Sequence, residues 1–254
     1  MAKITIKIGG NEIDEPGFIS GLVGALKELS DPPPVIVHGG GKEITAALSR
    51  FGIESRKVDG LRVTDERSLG VVEMVLSGAV NKRLVAKFNA SGLSAIGLSG
   101  VDLGLMRAVK LTPKGQDIGL VGEIVQVRSE IIDGFLRNRI IPIISPISLG
   151  IDGLTYNVNA DHAALKVALA VGSSTLVFVT NVEGVMADGK VLSRLTPSKA
   201  EELIGQGKIY GGMIPKVTSA LEAVKNGLPE VWITNLAGLK KLKAEERPGT
   251  VITN

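Results

Sequence analysis

The chain has 254 residues, 44% of them hydrophobic, 22% charged and 3% aromatic, which is enough for a large core in one big α/β domain or in two lobes. With no Cys and two His, it excludes a disulfide scaffold, thiol catalysis, a Cys-ligated zinc or iron–sulfur site and a multi-histidine metal centre, and it fits a reducing cytosol. A net charge of +3 spread along the chain, without a dense basic stripe or stacking aromatics, argues against nucleic acid and leans toward small anionic molecules.

In chain order, hydrophobic periodicity and turn residues predict a strand at Ile4–Ile8, a helix at Gly17–Leu29, a strand at Pro34–Val37 and helices at Lys42–Phe51 and Asp65–Ser91. A strand at Ser94–Leu98 follows. Two alternating runs within Leu105–Val127, turning at Pro113-Lys114-Gly115, then read as a hairpin, either a lid or an edge. A helix at Arg128–Arg137, a strand at Ile140–Ser145, a helix at Ala160–Val171 and a strand at Thr175–Thr180 come next. Helices at Ser198–Gln206 and Lys216–Asn226 and a strand at Glu230–Thr234 complete the pattern. This alternation implies a three-layer αβα sandwich with an open, mostly parallel central sheet and one inserted hairpin. No run approaches the roughly 20 apolar residues of a membrane span. The longest, Ala163 to Val179, is broken by Lys166 and Gly172-Ser173-Ser174, and Met1–Lys7 lacks a signal-peptide core, so a cytoplasmic location is expected.

The first two strands end in glycines, Gly9-Gly10 and Gly39-Gly40-Gly41, the second set opening a helix. At the carboxyl ends of parallel strands, backbone free of side chains lets N–H groups approach an anion, and a helix N-terminus adds its dipole. One such turn reads equally as a tight strand-to-helix connection; three successive glycines tilt the balance toward a phosphate cradle. Gly41-Lys42-Glu43 is not a Walker A ending, and no Gly-x-Gly-x-x-Gly fingerprint occurs.

Lys7 lies opposite Ile4, Ile6 and Ile8, on a solvated face or, if the strand is central, in a cleft. Lys216 follows Gly211-Gly212-Met213-Ile214-Pro215 at a helix start, where a cation opposes the dipole unless an anion bridges it. In Asn157-Val158-Asn159-Ala160-Asp161 a single helix cap accounts for one polar residue. Asp161 could instead hold both lysines in register, with Asn157 donating to a substrate. Thr180-Asn181-Val182-Glu183-Gly184-Val185 ends the most hydrophobic strand as a turn or a nucleotide rest. Arg62, in Gly60-Leu61-Arg62-Val63-Thr64, could grip a carboxylate bidentately or sit on the surface. His38 and His162 read as structural.

Together with Lys7-Ile8-Gly9-Gly10, His38-Gly39-Gly40-Gly41 and Gly212-Met213-Ile214-Pro215-Lys216, these segments make an ordered set spanning nearly the whole chain. The set is similar to that of the amino-acid kinase family, and within it to the branch acting on N-acetylated glutamate. The resemblance implies transfer of the ATP γ-phosphoryl group to the side-chain carboxylate of N-acetyl-L-glutamate, giving the acyl phosphate used in arginine biosynthesis. It implies that residues 1–172 bind the acylated amino acid and mediate dimerisation, while residues 173–254 bind ATP with its Mg²⁺. By the same resemblance Lys7 and Lys216 stabilise the transition state and Asp161 organises them. Gly9 and Gly10 meet phosphate, while Gly39, Gly40, Arg62 and Asn157 meet the substrate. Asn181, Val182, Glu183, Gly184, Val185 and Met186, with Ile209, Tyr210 and Gly211, meet the nucleotide. A carboxylate with a pKa near ~4.3 is already ionised at neutral pH, so no general base is required.

Two departures stand out. Many members of that branch carry Asp where this chain has Asn181, and the chain begins at its first strand without the helix associated with arginine-sensing hexamers. The expectation is a homodimer insensitive to arginine. A sister kinase acting on carrier-linked α-aminoadipate is the nearest alternative, and a non-catalytic nucleotide sensor is an alternative of another class.

Overall fold

The computed structural model describes residues 2–27, 32–242 and 247–253. In chain order the elements are β1 (Ile4–Ile8), α1 (Gly10–Ile13), α2 (Phe18–Lys27), β2 (Val35–His38), α3 (Gly41–Arg50), β3 (Lys57–Val58), β4 (Leu61–Arg62) and α4 (Glu66–Glu73). A π-helical segment, Met74–Val80, leads into α5 (Asn81–Ala90), followed by β5 (Ala95–Gly100), β6 (Met106–Lys110), β7 (Val121–Val127), α6 (Ser129–Arg137), β8 (Ile141–Gly150) and β9 (Thr155–Val158). The remainder comprises α7 (Ala160–Val171), β10 (Thr175–Val179), β11 (Met186–Ala187), β12 (Lys190–Val191), β13 (Arg194–Leu195), α8 (Pro197–Gly205), α9 (Met213–Lys225), β14 (Glu230–Thr234), α10 (Leu236–Leu239) and β15 (Thr250–Ile252).

Among the described residues, one mixed sheet runs β13-β15-β14-β10-β1-β2-β8-β6-β7-β9, with β5 also paired to β8. Its centre, β14, β10, β1, β2, β8 and β5, is wholly parallel. Strict alternation along these strands sends side chains to two separate cores. Ile6, Ile8, Ile36, Val177 and Trp232 pack with residues of α2, α3, α4 and α5. Val35, Val37, Leu176, Phe178 and Ile233 pack with residues of α6, α7, α8 and α9. Both faces being covered explains why β10 reads as a continuous apolar run. No described helix is long and apolar enough to cross a membrane.

The core elements lie close to where the sequence places them, and the differences have local causes. The predicted end of the helix Gly17–Leu29 falls outside the described residues. The predicted helix Asp65–Ser91 is α4, the π segment and α5 in one uninterrupted run, and the π turn sets Leu76 and Val80 against Gly40. β8 continues past Ser145 despite Pro146, because β5 absorbs the change: Ser99 pairs with Ser145 but Gly100 with Ser148. β9, read from sequence only as the approach to a helix cap, pairs with both β7 and β8. The hairpin is not an appendage, since β6 joins β8 and β7 joins β9 within the main sheet. Helix α7 is bounded as expected, by Asn159, whose side chain accepts from the Asp161 and His162 backbone, and by Gly172 at φ 66°.

His38 closes β2 and is structural in a specific way. It is fully buried; Nδ1–H donates to the Gly39 carbonyl at 3.0 Å, and Nε2 accepts from Asn81 Nδ2 at 3.1 Å. Asn81 is in turn fastened to the Ile143 carbonyl at 2.9 Å. The imidazole therefore acts as a neutral strut under the glycine turn, and burial pushes its pKa down to about 4.

The unfolded chain takes up a proton on His38 before the folded chain does, so folding stability falls as pH drops from the ordinary imidazole range toward pH 4. The full effect is on the order of 3 kcal/mol. Urea unfolding midpoints measured at about pH 7 and about pH 5 should fall more for the unsubstituted chain than for His38→Asn, whatever stability the variant loses at neutral pH. Equal pH slopes would remove His38 as the source.

Candidate active site

The parallel arrangement gathers the carboxyl ends of β1, β2 and β10 with the loop from β9 into α7, where ligands of open α/β sheets bind. They surround a cleft of about 1000 Å³. Of the residues singled out from sequence, it brings together Lys7, Gly9, Gly10, Gly39, Gly40, Arg62, Asn157, Asp161, Asn181, Val182 and Lys216.

Lys7 stands between Val37 of β2 and Phe178 of β10, so its strand is central and its ammonium is almost wholly removed from solvent, at 6% exposure. A lysine at such a place needs a counter-charge. Asp161 supplies it, with Oδ1 2.6 Å from Lys7 Nζ. Burial alone would raise the Asp161 pKa, but the Lys7 and Lys216 charges and the Lys7 hydrogen bond outweigh it and hold the carboxyl below its usual range. Its place in the first turn of α7 adds the helix dipole.

Lys216 is in the first turn of α9, which begins at Met213, three residues before the predicted start. It makes no direct ion pair among the described residues, so Asp161 contacts one lysine and acts on the other through space. The nearby Lys7 ammonium and burial push the Lys216 pKa down, while Asp161 and Glu12 oppose the change.

The two glycine turns meet backbone to backbone. A β-carbon on Gly10 would lie 2.7 Å from both Gly40 Cα and Gly41 N, and one on Gly40 would meet Leu76 at 2.8 Å. Only hydrogen fits at either position, which lets the N-termini of α1 and α3 open side by side onto the cleft.

On one side of this cradle, β3 and β4 form a short hairpin that carries Arg62. Its guanidinium donates to the Gly41 carbonyl at 3.0 Å and to Thr45 Oγ1 at 2.9 Å, and also reaches Ser55 Oγ. It is thereby fixed against the start of α3 while still lining the cleft. Asn157 Nδ2 donates to Thr64 Oγ1 at 3.1 Å, and Thr64 donates to the Arg62 carbonyl at 2.7 Å, so Arg62 and Asn157 belong to one network.

On the other side, Asn181 and Val182 line the cleft beyond β10, and Val182 N–H donates to Thr180 Oγ1 at 3.0 Å. Glu183, Gly184, Val185, Met186, Ile209, Tyr210 and Gly211 are outside its lining. Val185 and Ile209 are core residues, and Val185 N–H donates to Thr250 Oγ1 at 2.8 Å. Met186 and Tyr210 are exposed, Tyr210 by 76%.

Sequence reasoning passed over Glu12 and Lys57 in the lining, and Thr64 as the anchor of Asn157. Glu12 had one available signal, its place three residues after Gly9 at the end of a strand. Among the described residues, no group of three or more His, Asp and Glu side chains could hold a metal ion.

A model of the amino acid kinase family matches residues 2–235. The acetylglutamate kinase of Chloroflexus aurantiacus is 49% identical over 235 residues, covering 92% of each chain. That of Marinobacter nauticus is 42% identical over 267 residues, covering 98% of this chain and 92% of its own. Among solved structures, smu.665 from Streptococcus mutans UA159 aligns with a TM-score of 0.84 at 33% identity, covering 99% of this chain and 98% of its own. The buried lysine, its carboxylate and the paired glycine turns thus sit in a chain matched along most of its length, and the chain belongs to the amino acid kinase family.

Proposed function

We infer that the chain is an ATP-dependent phosphotransferase that moves the γ-phosphoryl group to the side-chain carboxylate of N-acetyl-L-glutamate. The product is N-acetyl-L-glutamyl 5-phosphate, made by the acetylglutamate kinases for arginine biosynthesis. The observation that carries this reading is the convergence in one cleft of Lys7, Asp161 and Lys216, the Gly10–Gly40 cradle, and the fixed guanidinium of Arg62.

The acceptor carboxylate is ionised at neutral pH, and an oxygen lone pair attacks the γ-phosphorus as the bond to the β–γ bridging oxygen breaks, releasing ADP. No proton has to be removed, so the site needs alignment and cancellation of negative charge rather than a base. Lys7 and Lys216 supply cationic charge, and the Gly10 and Gly40 turns supply N–H donors that need no reorganisation during transfer. Asp161 holds Lys7 in place. Arg62 binds the acceptor's other carboxylate, and Asn157, oriented by Thr64, binds its amide. Mg²⁺ carried by ATP oxygens and water would supply further cancellation of phosphate charge.

We read the sheet with its two covered faces as a three-layer sandwich. Residues 1–172 serve the acylated amino acid and residues 173–254 serve ATP. Asn181 and Val182 are the cleft-facing part of the nucleotide stretch.

ADP release should be measured with Mg-ATP and N-acetyl-L-glutamate, L-glutamate, L-aspartate, UMP or carbamate in parallel. Activity confined to N-acetyl-L-glutamate and lost in Lys7→Ala is the expected result. Release with another acceptor would overturn the assignment, and silence with all five would favour carrier-linked α-aminoadipate or a nucleotide sensor.

Arg62→Lys removes the planar fork but keeps the charge, so KM for the acylated amino acid should rise by about tenfold or more while kcat changes little. A KM effect on ATP alone would place Arg62 elsewhere in the reaction. Gly10→Ala should lower kcat by more than about tenfold and destabilise the chain by about 1–3 kcal/mol, because the new methyl has only backbone to displace.

A further inference from the structure

The β3–β4 hairpin that carries Arg62 is a two-stranded sheet of its own, and among the described residues the chain just beyond it joins the segment leading into β7 through an isolated parallel bridge, Thr64 with Gly119. Thr64 N–H donates to the Ile118 carbonyl at 3.0 Å, and Leu120 N–H donates to the Thr64 carbonyl at 2.6 Å. On its other edge the same segment accepts the Asn157 N–H at the Leu120 carbonyl, at 3.0 Å, and Val121 pairs with Asn157 in register. Residues Ile118, Gly119 and Leu120 are therefore a spacer between the backbone that follows Arg62 and the backbone of Asn157. Thr64 is fully buried, and its hydroxyl spans the same interval by bonding the Arg62 carbonyl and Asn157 Nδ2.

The spacing depends on Gly119. Its φ of 80° lies in the left-handed region, and a β-carbon there would collide with the Thr64 carbonyl oxygen and lie 2.8 Å from the carbonyl carbon. The obstacle is backbone, which has no flexible end to yield. From the opposite direction Asp117 fixes the turn, its Oδ1 accepting the Gly119 N–H at 2.8 Å. Any side chain at 119 must push Thr64 away from Leu120, and Thr64 carries the partners of both Arg62 and Asn157.

We propose that Gly119 is a positioning residue for the acceptor, acting through Thr64: it permits the close backbone approach that holds Arg62 and Asn157, the groups assigned to the acceptor's free carboxylate and amide, at a fixed separation. The role in acceptor binding rests on that assignment, but the backbone link through Gly119 does not. Gly119 is outside the cleft lining, and Asn181 and Val182 line the cleft beyond β10, so its loss must act on the acceptor far more than on ATP.

The test compares Gly119→Ala with the unsubstituted full chain by hydrogen–deuterium exchange and by steady-state kinetics. Faster exchange is expected in the peptides holding Thr64 and Leu120, with those of β10 and β14 unchanged. KM for N-acetyl-L-glutamate should rise about tenfold while KM for ATP stays within about twofold. Equal rises in both KM values, or faster exchange with KM for the acylated amino acid unchanged, would overturn the proposal. Should Gly119→Ala fail to fold, Thr64→Val keeps the shape and removes the hydroxyl; the same selective rise in KM is expected, largely restored in Thr64→Ser, and its absence would be equally fatal. Faster exchange at Thr64 and Leu120, in a protein whose unsubstituted form is inactive on N-acetyl-L-glutamate, would remove the acceptor assignment and leave the Gly119 link standing.

Discussion

The ion pair between Lys7 and Asp161 is the constraint around which the rest is arranged. A lysine in the middle of a parallel sheet is untenable alone, and the partner comes from far along the chain, so the two ends of the fold must meet correctly before either charge can be buried. Asp161 reaches Lys7 because Asn159 caps α7 and β9 is pinned between β7 and β8 immediately before it. A hydrophobic pair of similar volume would serve stability as well or better. On the reading proposed above, the pair fixes a cation at a place the chemistry needs rather than holding the fold together.

The second constraint is that the two glycine turns meet through backbone, not side chain. The Gly10 and Gly40 turns touch through positions where no β-carbon fits, and a hydrophobic wall of Leu76 and Val80 presses on Gly40 from behind. His38 completes the arrangement by tying the Gly39 carbonyl, through Asn81, to β8. Burial keeps this imidazole neutral, and that neutrality lets Nε2 accept while Nδ1 donates. The turn is thus held by groups that never need to meet a ligand.

These features were legible in the sequence to different degrees, for physical reasons. Short β-branched apolar runs, such as Ile4–Ile8 with its alternating isoleucines and Glu230–Thr234 with its continuous Val231-Trp232-Ile233, coincide with the observed β1 and β14 because local pattern and global burial agree. The glycine turns and Lys7 could be picked out because each breaks a local rule, and broken rules cluster at sites. What the chain did not disclose depends on distant partners. Whether Lys7 is buried depends on strand order, and the extension of β8 through Pro146 depends on a register change in β5. Asp161 was expected to join both lysines. It contacts one, Lys7 at 2.6 Å through Oδ1, and it acts on Lys216 only through space.

Charge is distributed unevenly across the cleft, and the unevenness suits an acceptor with two carboxylates. Around the cradle, two lysines face two carboxylates, so this region carries little net charge before ligand enters. On the other side, Arg62 lies beside Lys57 and Lys42 with no acidic residue in the lining next to them. On the reading proposed above, a dicarboxylate entering such a cleft is drawn first by the unbalanced end, which takes the carboxylate that does not react, and its other carboxylate is delivered to the balanced end, where cationic charge is present but not in excess. Strong ground-state attraction there would stabilise the reactant as much as the transition state and would not raise the rate. On that reading, a lysine already paired, as Lys7 is with Asp161, binds the reactant carboxylate modestly and responds most when negative charge builds on the transferring phosphoryl group.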